Sequence, residues 1–366
     1  MFDSVIPAYL YSTIYLVFLA ILTLYCFTDL LNADSQKLMY KRKSIALPVI
    51  AGLFLLLFLG FRPVSARFGD MRDYDILYQN VAAGFEFPQE TDMLFRNLMY
   101  WFAHRYPSKY FFCFIEFLYI VPHLLASYRL SKENASPIFV FMVSAMSFYG
   151  YATNGIRSGV AASIFVLAIT FMKGGYKNKI IYALLCMASY GFHNSMILPI
   201  TASIAAYFIT NPKLMFYFWG VCILVSAAYG QVVSDIISGI GIDARLADYL
   251  SSSNYETKLK VGFRLDFLLY SFVPVLMGWY IIFKRKVYTK TYAILLGTYI
   301  YANAFWVMII RAPYSNRFAY LSWLLYPVVV AYPMLELPFW KKRAGLNTCF
   351  VMAVHYVFTV IIFLKS

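Results

Sequence analysis

Hydrophobic residues are grouped along this chain into long runs, which short polar segments rich in lysine separate. A helix that crosses the hydrocarbon core of a bilayer needs about 20 mainly apolar residues. Matching the chain to that length predicts about twelve membrane-spanning helices. They are expected near residues 5–27, 45–61, 110–128, 137–153, 156–172, 180–192, 196–210, 214–230, 264–283, 291–310, 317–335 and 346–364.

The sixth and seventh of these runs, 180–192 and 196–210, are short for a complete crossing. Residues 178–213 are therefore expected to contain a hairpin or a bent, re-entrant pair of helices. The polar stretch around Gly191–Asn194 is the predicted place of the break.

Two longer polar segments interrupt the apolar pattern and are predicted to be loops. They cover about 62–109, after the second span, and about 231–263, before the ninth. Within the first loop, Tyr74–Tyr78 is amphipathic enough to form a helix that lies on the membrane surface. Neither an internal repeat nor a second domain is evident, so a single polytopic membrane domain is predicted over residues 1–366.

Composition supports this fold class. Hydrophobic residues make up 62% of the chain and charged residues 13%, and the mean hydropathy is +0.66. A soluble domain carries roughly 25% charged residues. The chain's 33 Tyr and 34 Phe suit a protein with many membrane–water boundaries. The composition predicts an all-α integral membrane protein whose partner is the lipid bilayer.

Charge sets the predicted orientation. Of the 31 Lys and Arg residues, 17 lie in alternate loops, and 13 of those are Lys. Positive charge in short loops marks the cytoplasmic side. The cytoplasmic set is 28–44, 129–136, 173–179, 211–213, 284–290 and 341–343. The net charge of +14 thus has a topological cause, and no nucleic-acid partner is predicted.

The opposite, extracytoplasmic side holds the other 14 basic residues, of which 10 are Arg. Both long loops, 62–109 and 231–263, fall on this side. Arginine presents a planar fork of donors that fits phosphate and carboxylate, whereas the lysine ammonium is a compact, strongly hydrated charge. The excess of Arg outside therefore points to an anionic ligand there.

The first candidate site on that side follows the second span. Arg62 and Arg67 can bind an anionic lipid headgroup, Tyr74 can contribute to binding, and Asp70 can act as a base or orient a sugar hydroxyl. The alternative is a solvated loop whose charges neutralise each other.

The second and third candidates lie further along the chain. Asn154 and Arg157 flank the turn into the fifth span, where Arg157 either faces a polar cavity or reaches up to the headgroups. His193 stands in an otherwise apolar stretch and can exchange protons near neutral pH, unless it is only a packed core histidine.

The fourth candidate is a short outer turn framed by Arg311 and Arg317, with Tyr320 one helical turn after Arg317. The alternative is a pair of interfacial anchors. All four clusters fall on one predicted face of the membrane. Neither a nucleotide-binding loop nor an HExxH zinc motif occurs, so neither a cofactor nor a metal is predicted.

At these residues the chain resembles the EpsG/Wzy-type family of bacterial polysaccharide (O-antigen or exopolysaccharide) polymerases. One departure is Ser158, where the family often has Gln. The matching pieces are Gly60-Phe61-Arg62, Gly69-Asp70 with Tyr74, Asn154–Ala161, Phe192–Ser195 and Arg317–Tyr320.

The resemblance implies a GT-C-like fold in the bacterial inner (cytoplasmic) membrane, with an active site that faces the periplasm or cell exterior. It implies a metal-independent glycosyltransferase whose partners are undecaprenyl-pyrophosphate-linked glycans, and it is compatible with a chain-length regulator as a further partner. In that reaction His193 or Asp70 takes the acceptor proton, and the arginines bind pyrophosphate.

Three other functions stay open. A lipid-linked oligosaccharide flippase is expected to carry charges through the middle of its spans. A membrane O-acetyltransferase acting on surface glycan needs acyl-CoA from the cytoplasm, where the predicted loops hold no His. Another lipid-linked glycosyltransferase is the nearest alternative.

Overall fold

The computed structural model describes residues 6–32, 46–87, 91–240, 263–311, 315–338, 340 and 342–365. In that part of the chain the secondary structure is helical throughout, without a strand. In chain order the α-helices are α1 (Tyr11–Leu31), α2 (Ala46–Gly60), α3 (Met71–Ala82), α4 (Met93–Ala103), α5 (Ser108–Leu130), α6 (Ala135–Val143), α7 (Met146–Thr153), α8 (Ile156–Ile169), α9 (Tyr176–Phe192), α10 (Ile197–Phe208), α11 (Pro212–Ile240), α12 (Leu265–Trp279), α13 (Lys290–Met308), α14 (Asn316–Trp323), α15 (Tyr326–Glu336) and α16 (Ala344–Lys365).

Among the residues that the structure describes, six helical segments are long and apolar enough to cross a membrane, and the pair α6 and α7 makes a seventh if it counts as one bent span. These helices confirm a multi-pass membrane protein. The count of twelve is not confirmed, because α2 and α8 have only 15 and 14 residues. At 1.5 Å per residue each is about 22 Å long, short of a hydrocarbon core of about 30 Å. The six segments are Ala8–Leu31, Ser108–Leu130, Pro212–Gly230, Leu265–Lys284, Arg317–Glu336 and Ala344–Leu364.

The chain divides into two compact units. Unit 1 comprises Met1–Asn194 and Ala331–Ser366, and unit 2 comprises Ser195–Val330. In unit 1, α5 packs against α2 and α8, α8 packs against α9, and α1 packs against α16. In unit 2, both α10 and α11 pack against α13. A single membrane domain over the whole chain stays a prediction.

The bent pair α6–α7 turns by 67° within unit 1. A break exposes carbonyls that the helix would otherwise satisfy, and in hydrocarbon each needs another donor. Three side chains from other helices donate hydrogen bonds to the carbonyls of Phe141–Ser144. The Tyr15 hydroxyl donates to the carbonyl at 143, the Thr359 hydroxyl to that at 144 (2.7 Å), and His355 Nε2 to that at 141 (3.1 Å). Tertiary hydrogen bonds from α1 and α16 therefore stabilise the bend.

The predicted 62–109 loop contains two ordered helices, α3 and α4. Met71, Tyr74 and Tyr78 on the apolar face of α3 are buried against the protein. The amphipathic pattern that suggested a membrane-surface helix thus serves packing within unit 1.

The other predicted loop, 231–263, begins as helix, since α11 continues to Ile240 beyond a kink at Tyr229. Residues 241–262 lie outside the described part of the chain. The predicted break in 178–213 is confirmed: α9 ends at Phe192, and a short 3₁₀ turn, Asn194–Met196, precedes α10.

Candidate functional site

The Asp92 carboxylate is the centre of a polar cluster in unit 1. Asp92 directly precedes α4 in the left-handed conformation (φ 59°, ψ 51°), which Asp tolerates better than most residues. Its Oδ2 accepts a hydrogen bond from Arg157 (2.9 Å), and its Oδ1 accepts one from the backbone N–H of Asn194 (3.0 Å). One side chain thus connects the starts of α4 and α8 with the end of α9.

His193 belongs to this cluster. It follows the last residue of α9 in an extended conformation, and its N–H donates to the Ser189 carbonyl (3.1 Å). Its Nδ1 lies 3.6 Å from Asp92 Oδ1, slightly beyond hydrogen-bonding distance, and 13% of its side chain is exposed. An imidazole that faces a carboxylate through one nitrogen keeps the other nitrogen for a ligand.

The charge state of Asp92 follows from these neighbours. Burial by itself raises the pKa of this carboxyl group. The interactions with the nearby His193 imidazole, the charge of Arg157 and the hydrogen bond from the Asn194 amide together outweigh burial and hold the pKa of Asp92 well below its ordinary value. Asp92 is therefore a carboxylate at neutral pH, and its weak basicity makes it a poor proton acceptor.

Arg157 is the second residue of α8 and is held on several sides. Its Nε donates to the Tyr74 hydroxyl (3.1 Å), and its guanidinium lies 5.6 Å from the Tyr74 ring centroid and 5.8 Å from that of Phe95. These distances fit cation–π contacts. About 20% of its side chain is exposed, so the guanidinium remains within reach of a ligand.

Asp70 and Asn154 meet beside the start of α3. The backbone N–H of Asp70 donates to Asn154 Oδ1 (2.8 Å). Gly69 has a φ of 61°, and a Cβ there would lie 2.4 Å from Asn154 Oδ1. Glycine at position 69 is thus required both by the backbone conformation and by the close approach of Asn154. Asp70 itself is exposed.

Arg62 forms an ion pair with Glu116 that is closed to solvent. Its guanidinium is 2.7 Å from Glu116 Oε1, and the two side chains are 0% and 1% exposed. It also donates to the carbonyls of Leu59 (2.5 Å) and of Thr153, the last residue of α7 (3.4 Å). Arg62 thereby joins α2, α5 and the end of α7, directly before the Asn154–Arg157 turn.

The remaining predicted residues lie elsewhere. Arg67 is exposed on the short turn that precedes α3. Arg311, Arg317 and Tyr320 belong to unit 2, where Arg311 donates to the Ala227 carbonyl (3.3 Å). Tyr320 packs edge-on against the Trp323 ring and Arg317 is exposed. That this fourth cluster shares one site with the others stays a prediction.

Sequence reasoning missed both carboxylates that pair with these arginines. Glu116 carried a usable signal, because it is the single acidic residue in the 23-residue apolar helix α5. Asp92 carried none, since it stands in an ordinary polar segment. Among the residues that the structure describes, no group of three or more His, Cys, Asp or Glu side chains could hold a metal ion. Metal independence stays a prediction.

The fold and this cluster define a multi-pass helical membrane protein with a partly exposed arginine and histidine on a buried carboxylate. The chain belongs to the EpsG family, whose model matches residues 45–366. Membership points to a polysaccharide polymerase-like, glycosyltransferase-type function. Comparison with curated proteins and with solved structures gave no match.

Proposed function

We propose that this protein is a polysaccharide polymerase that joins undecaprenyl-pyrophosphate-linked repeat units on the extracytoplasmic leaflet of the bacterial inner membrane. The observation that carries the proposal is the Asp92 carboxylate, which contacts Arg157 and lies beside His193. An anion-binding group and a proton acceptor on one carboxylate are what a glycosyl transfer from a diphosphate carrier requires.

In the proposed step, a sugar hydroxyl of the acceptor repeat unit attacks the anomeric carbon of the donor glycan. The new glycosidic C–O bond forms as the bond between the anomeric carbon and the diphosphate oxygen breaks. The diphosphate leaves with the electron pair, and the hydroxyl proton passes to His193. Negative charge develops on the leaving diphosphate, so a guanidinium beside it stabilises the transition state.

Arg157 is the group that we assign to the diphosphate. The hydroxyl of Tyr74 and the rings of Tyr74 and Phe95 orient its guanidinium before a ligand arrives. Pre-oriented charge needs little rearrangement at the moment of reaction. Arg67, exposed on the short turn before α3, and Asn154 are proposed to contact the headgroup or the sugars. Arg311, Arg317 and Tyr320 remain proposed substrate contacts from unit 2.

His193 is the proposed base, and Asp92 orients it. With Nδ1 directed at Asp92 Oδ1, a neutral imidazole carries its proton on Nδ1 and accepts through Nε2. The 3.6 Å separation allows a small closing movement when the acceptor binds. Asp70 is the second candidate base, because it is exposed and hydrogen-bonded to Asn154 through its backbone.

Deleting the gene and analysing surface glycan length tests the overall function. Loss of polymer with single repeat units retained is expected. Loss of all surface glycan would instead place the protein earlier, as a flippase, and glycan of normal length that lacks acetyl groups would identify an O-acetyltransferase.

Complementing that deletion strain with His193 variants tests the base. Losing general acid–base help typically costs about 10²–10⁴-fold, so His193→Ala and His193→Gln should both abolish polymer while the protein inserts normally. His104→Gln, at an exposed histidine near the end of α4, is the matched control and should be active. An active His193→Gln combined with an inactive Asp70→Asn would assign the base to Asp70.

A further inference from the structure

Helix α4 presents two different faces. Phe95, Met99 and Phe102 are buried against unit 1. The opposite face exposes Tyr100 (57%) and Trp101 (45%). A soluble surface seldom shows large apolar groups side by side without a partner.

The aromatic surface continues past α4 into the first turn of α5. Tyr106 and Tyr110 are 47% and 45% exposed. Two cations lie on these rings: the Arg105 guanidinium is 5.1 Å from the Trp101 ring centroid, and the Lys109 ammonium is 4.9 Å from that of Tyr110. Arg105 also donates to the Trp101 carbonyl (3.1 Å).

This combination has the chemistry of a membrane–water boundary. Trp and Tyr concentrate there because their rings are apolar and their N–H and O–H groups are polar. Cations at the same depth meet lipid phosphate groups. The neighbouring helix α3 differs, since its exposed face carries Arg72, Asp73, Gln79 and Asn80.

The short connection between α4 and the spanning helix α5 also places α4 at the membrane–water boundary. α5 is a 23-residue candidate span that starts at Ser108, only five residues after α4 ends. The start of a spanning helix lies at the bilayer surface. The aromatic residues before and within its first turn therefore lie at that depth, and α4 lies next to them.

We propose that α4 is an interfacial helix and that the aromatic surface formed by Tyr100 and Trp101 of α4, Tyr106 after it and Tyr110 of α5 rests in the phospholipid headgroup region at the start of α5. Arg105 and Lys109 contact lipid phosphates. Asp92, which directly precedes α4, then holds Arg157 and His193 at headgroup depth. If the proposed function is correct, this is the depth at which the diphosphate of a lipid carrier lies.

Trp fluorescence in reconstituted full-length protein tests the proposal. The chain has six Trp residues, so the difference between wild type and Trp101→Phe isolates the Trp101 signal. In phosphatidylcholine vesicles, lipid brominated at acyl carbons 6 and 7 should quench that signal at least twice as strongly as lipid brominated at carbons 11 and 12. Aqueous acrylamide should quench it weakly.

A matched control uses α3. Ile76 is 50% exposed on the face of α3 that we assign to water. In the Trp101→Phe background, the Ile76→Trp signal should be quenched by acrylamide and not by brominated lipid.

Three results would overturn the assignment. Quenching of Trp101 by acrylamide alone would place α4 in water. Stronger quenching from carbons 11 and 12 would place it deep in the acyl chains. Protection from both quenchers would mean that another protein surface, such as a second copy, covers the face. The quenching measurement does not depend on activity. A result that contradicts the location of α4 therefore leaves the polymerase proposal intact, and absence of polymerase activity in the wild type would leave the measured depth of Trp101 valid.

Discussion

Two of the arginine–carboxylate pairs described in unit 1 have similar distances and opposite surroundings. Arg62 and Glu116 are 2.7 Å apart and sealed from solvent. Arg157 and Asp92 are 2.9 Å apart, but the Arg157 side chain is 20% exposed. His193 stands beside this second carboxylate.

The difference in surroundings separates two uses of the same chemistry. A sealed ion pair loses the hydration of both charges, so neither charge can be left without the other. Arg62 can then hold helix ends but cannot exchange Glu116 for a ligand. A pair at the edge can exchange partners, because water or an anionic ligand compensates for the loss. We therefore assign Arg62 a positioning role and Arg157 a binding role.

The largest expected effect comes from removing one half of the sealed pair. Glu116→Leu leaves the Arg62 charge buried without its partner, which typically costs about 3–5 kcal/mol. We expect a large drop in the yield and thermal stability of the detergent-solubilised protein, measured by size-exclusion chromatography after heating.

The control for that prediction removes both charges. A buried pair replaced by apolar groups is often as stable as the original, so Arg62→Met with Glu116→Leu should restore folding. Its polymer output should stay reduced, because Thr153 loses the donor that fixes the end of α7. A normal melting temperature for Glu116→Leu alone would show that water reaches Arg62 and compensates for the lost carboxylate.

Asp92→Asn should affect activity more than stability. The amide keeps an acceptor for the Asn194 N–H but removes the charge that faces Arg157 and His193. We expect polymer formation to fall about 100-fold or more, in line with losing an oriented base. Asp73→Asn, at an exposed position on α3, should be unaffected. Equal activity of the two variants would rule out Asp92 as the residue that orients the site.

Arg157→Lys should lose at least about tenfold in polymer formation, or ~1.4 kcal/mol. An ammonium group cannot reproduce the planar fork, which donates to Tyr74 and Asp92 at once. Arg317→Lys is also expected to lose activity, because the anion contact proposed for its guanidinium is not reproduced by an ammonium group. Arg67→Lys should change little, because a lysine keeps the positive charge at this exposed turn. Full activity of Arg157→Lys would favour the alternative that Arg157 only reaches up to the headgroups.

The smallest effect is a pH dependence of stability. Asp92 has a pKa below its ordinary value in the folded protein. Its contribution is therefore complete above the unfolded Asp pKa of about 3.9 and is lost as the pH falls further. Below about pH 4 the melting temperature of the wild type should fall faster than that of Asp92→Asn, and parallel curves there would contradict the depressed pKa of Asp92.

Local patterns were enough to predict many features of the fold. The break at His193 was predictable because polar residues interrupt an apolar run at that point. The start of α8 beside Arg157 was predictable for the same reason. These features depend on neighbouring residues, so the sequence around each position specifies them.

The composition of the candidate site was not predictable in the same way. Asp92 contacts Arg157 and Asn194, which are 65 and 102 positions away. Its carboxylate reaches them because Asp92 adopts a left-handed conformation before α4. Hydropathy encodes neither the conformation nor the contacts. The count of twelve spans is not confirmed for a related reason: α2 and α8 are apolar but short for a complete crossing, and hydropathy does not measure where a helix ends.

The α6–α7 bend has a consequence for how the chain is made. Its carbonyls accept hydrogen bonds from Tyr15 in α1 and from His355 and Thr359 in α16. The ribosome completes α16 more than 200 residues after the bend, as the separations of 214 and 215 positions show. The carbonyls at the bend therefore lack two of their donors until α16 has been made and inserted. A nascent chain arrested before α16 should be recognised and removed by membrane proteases.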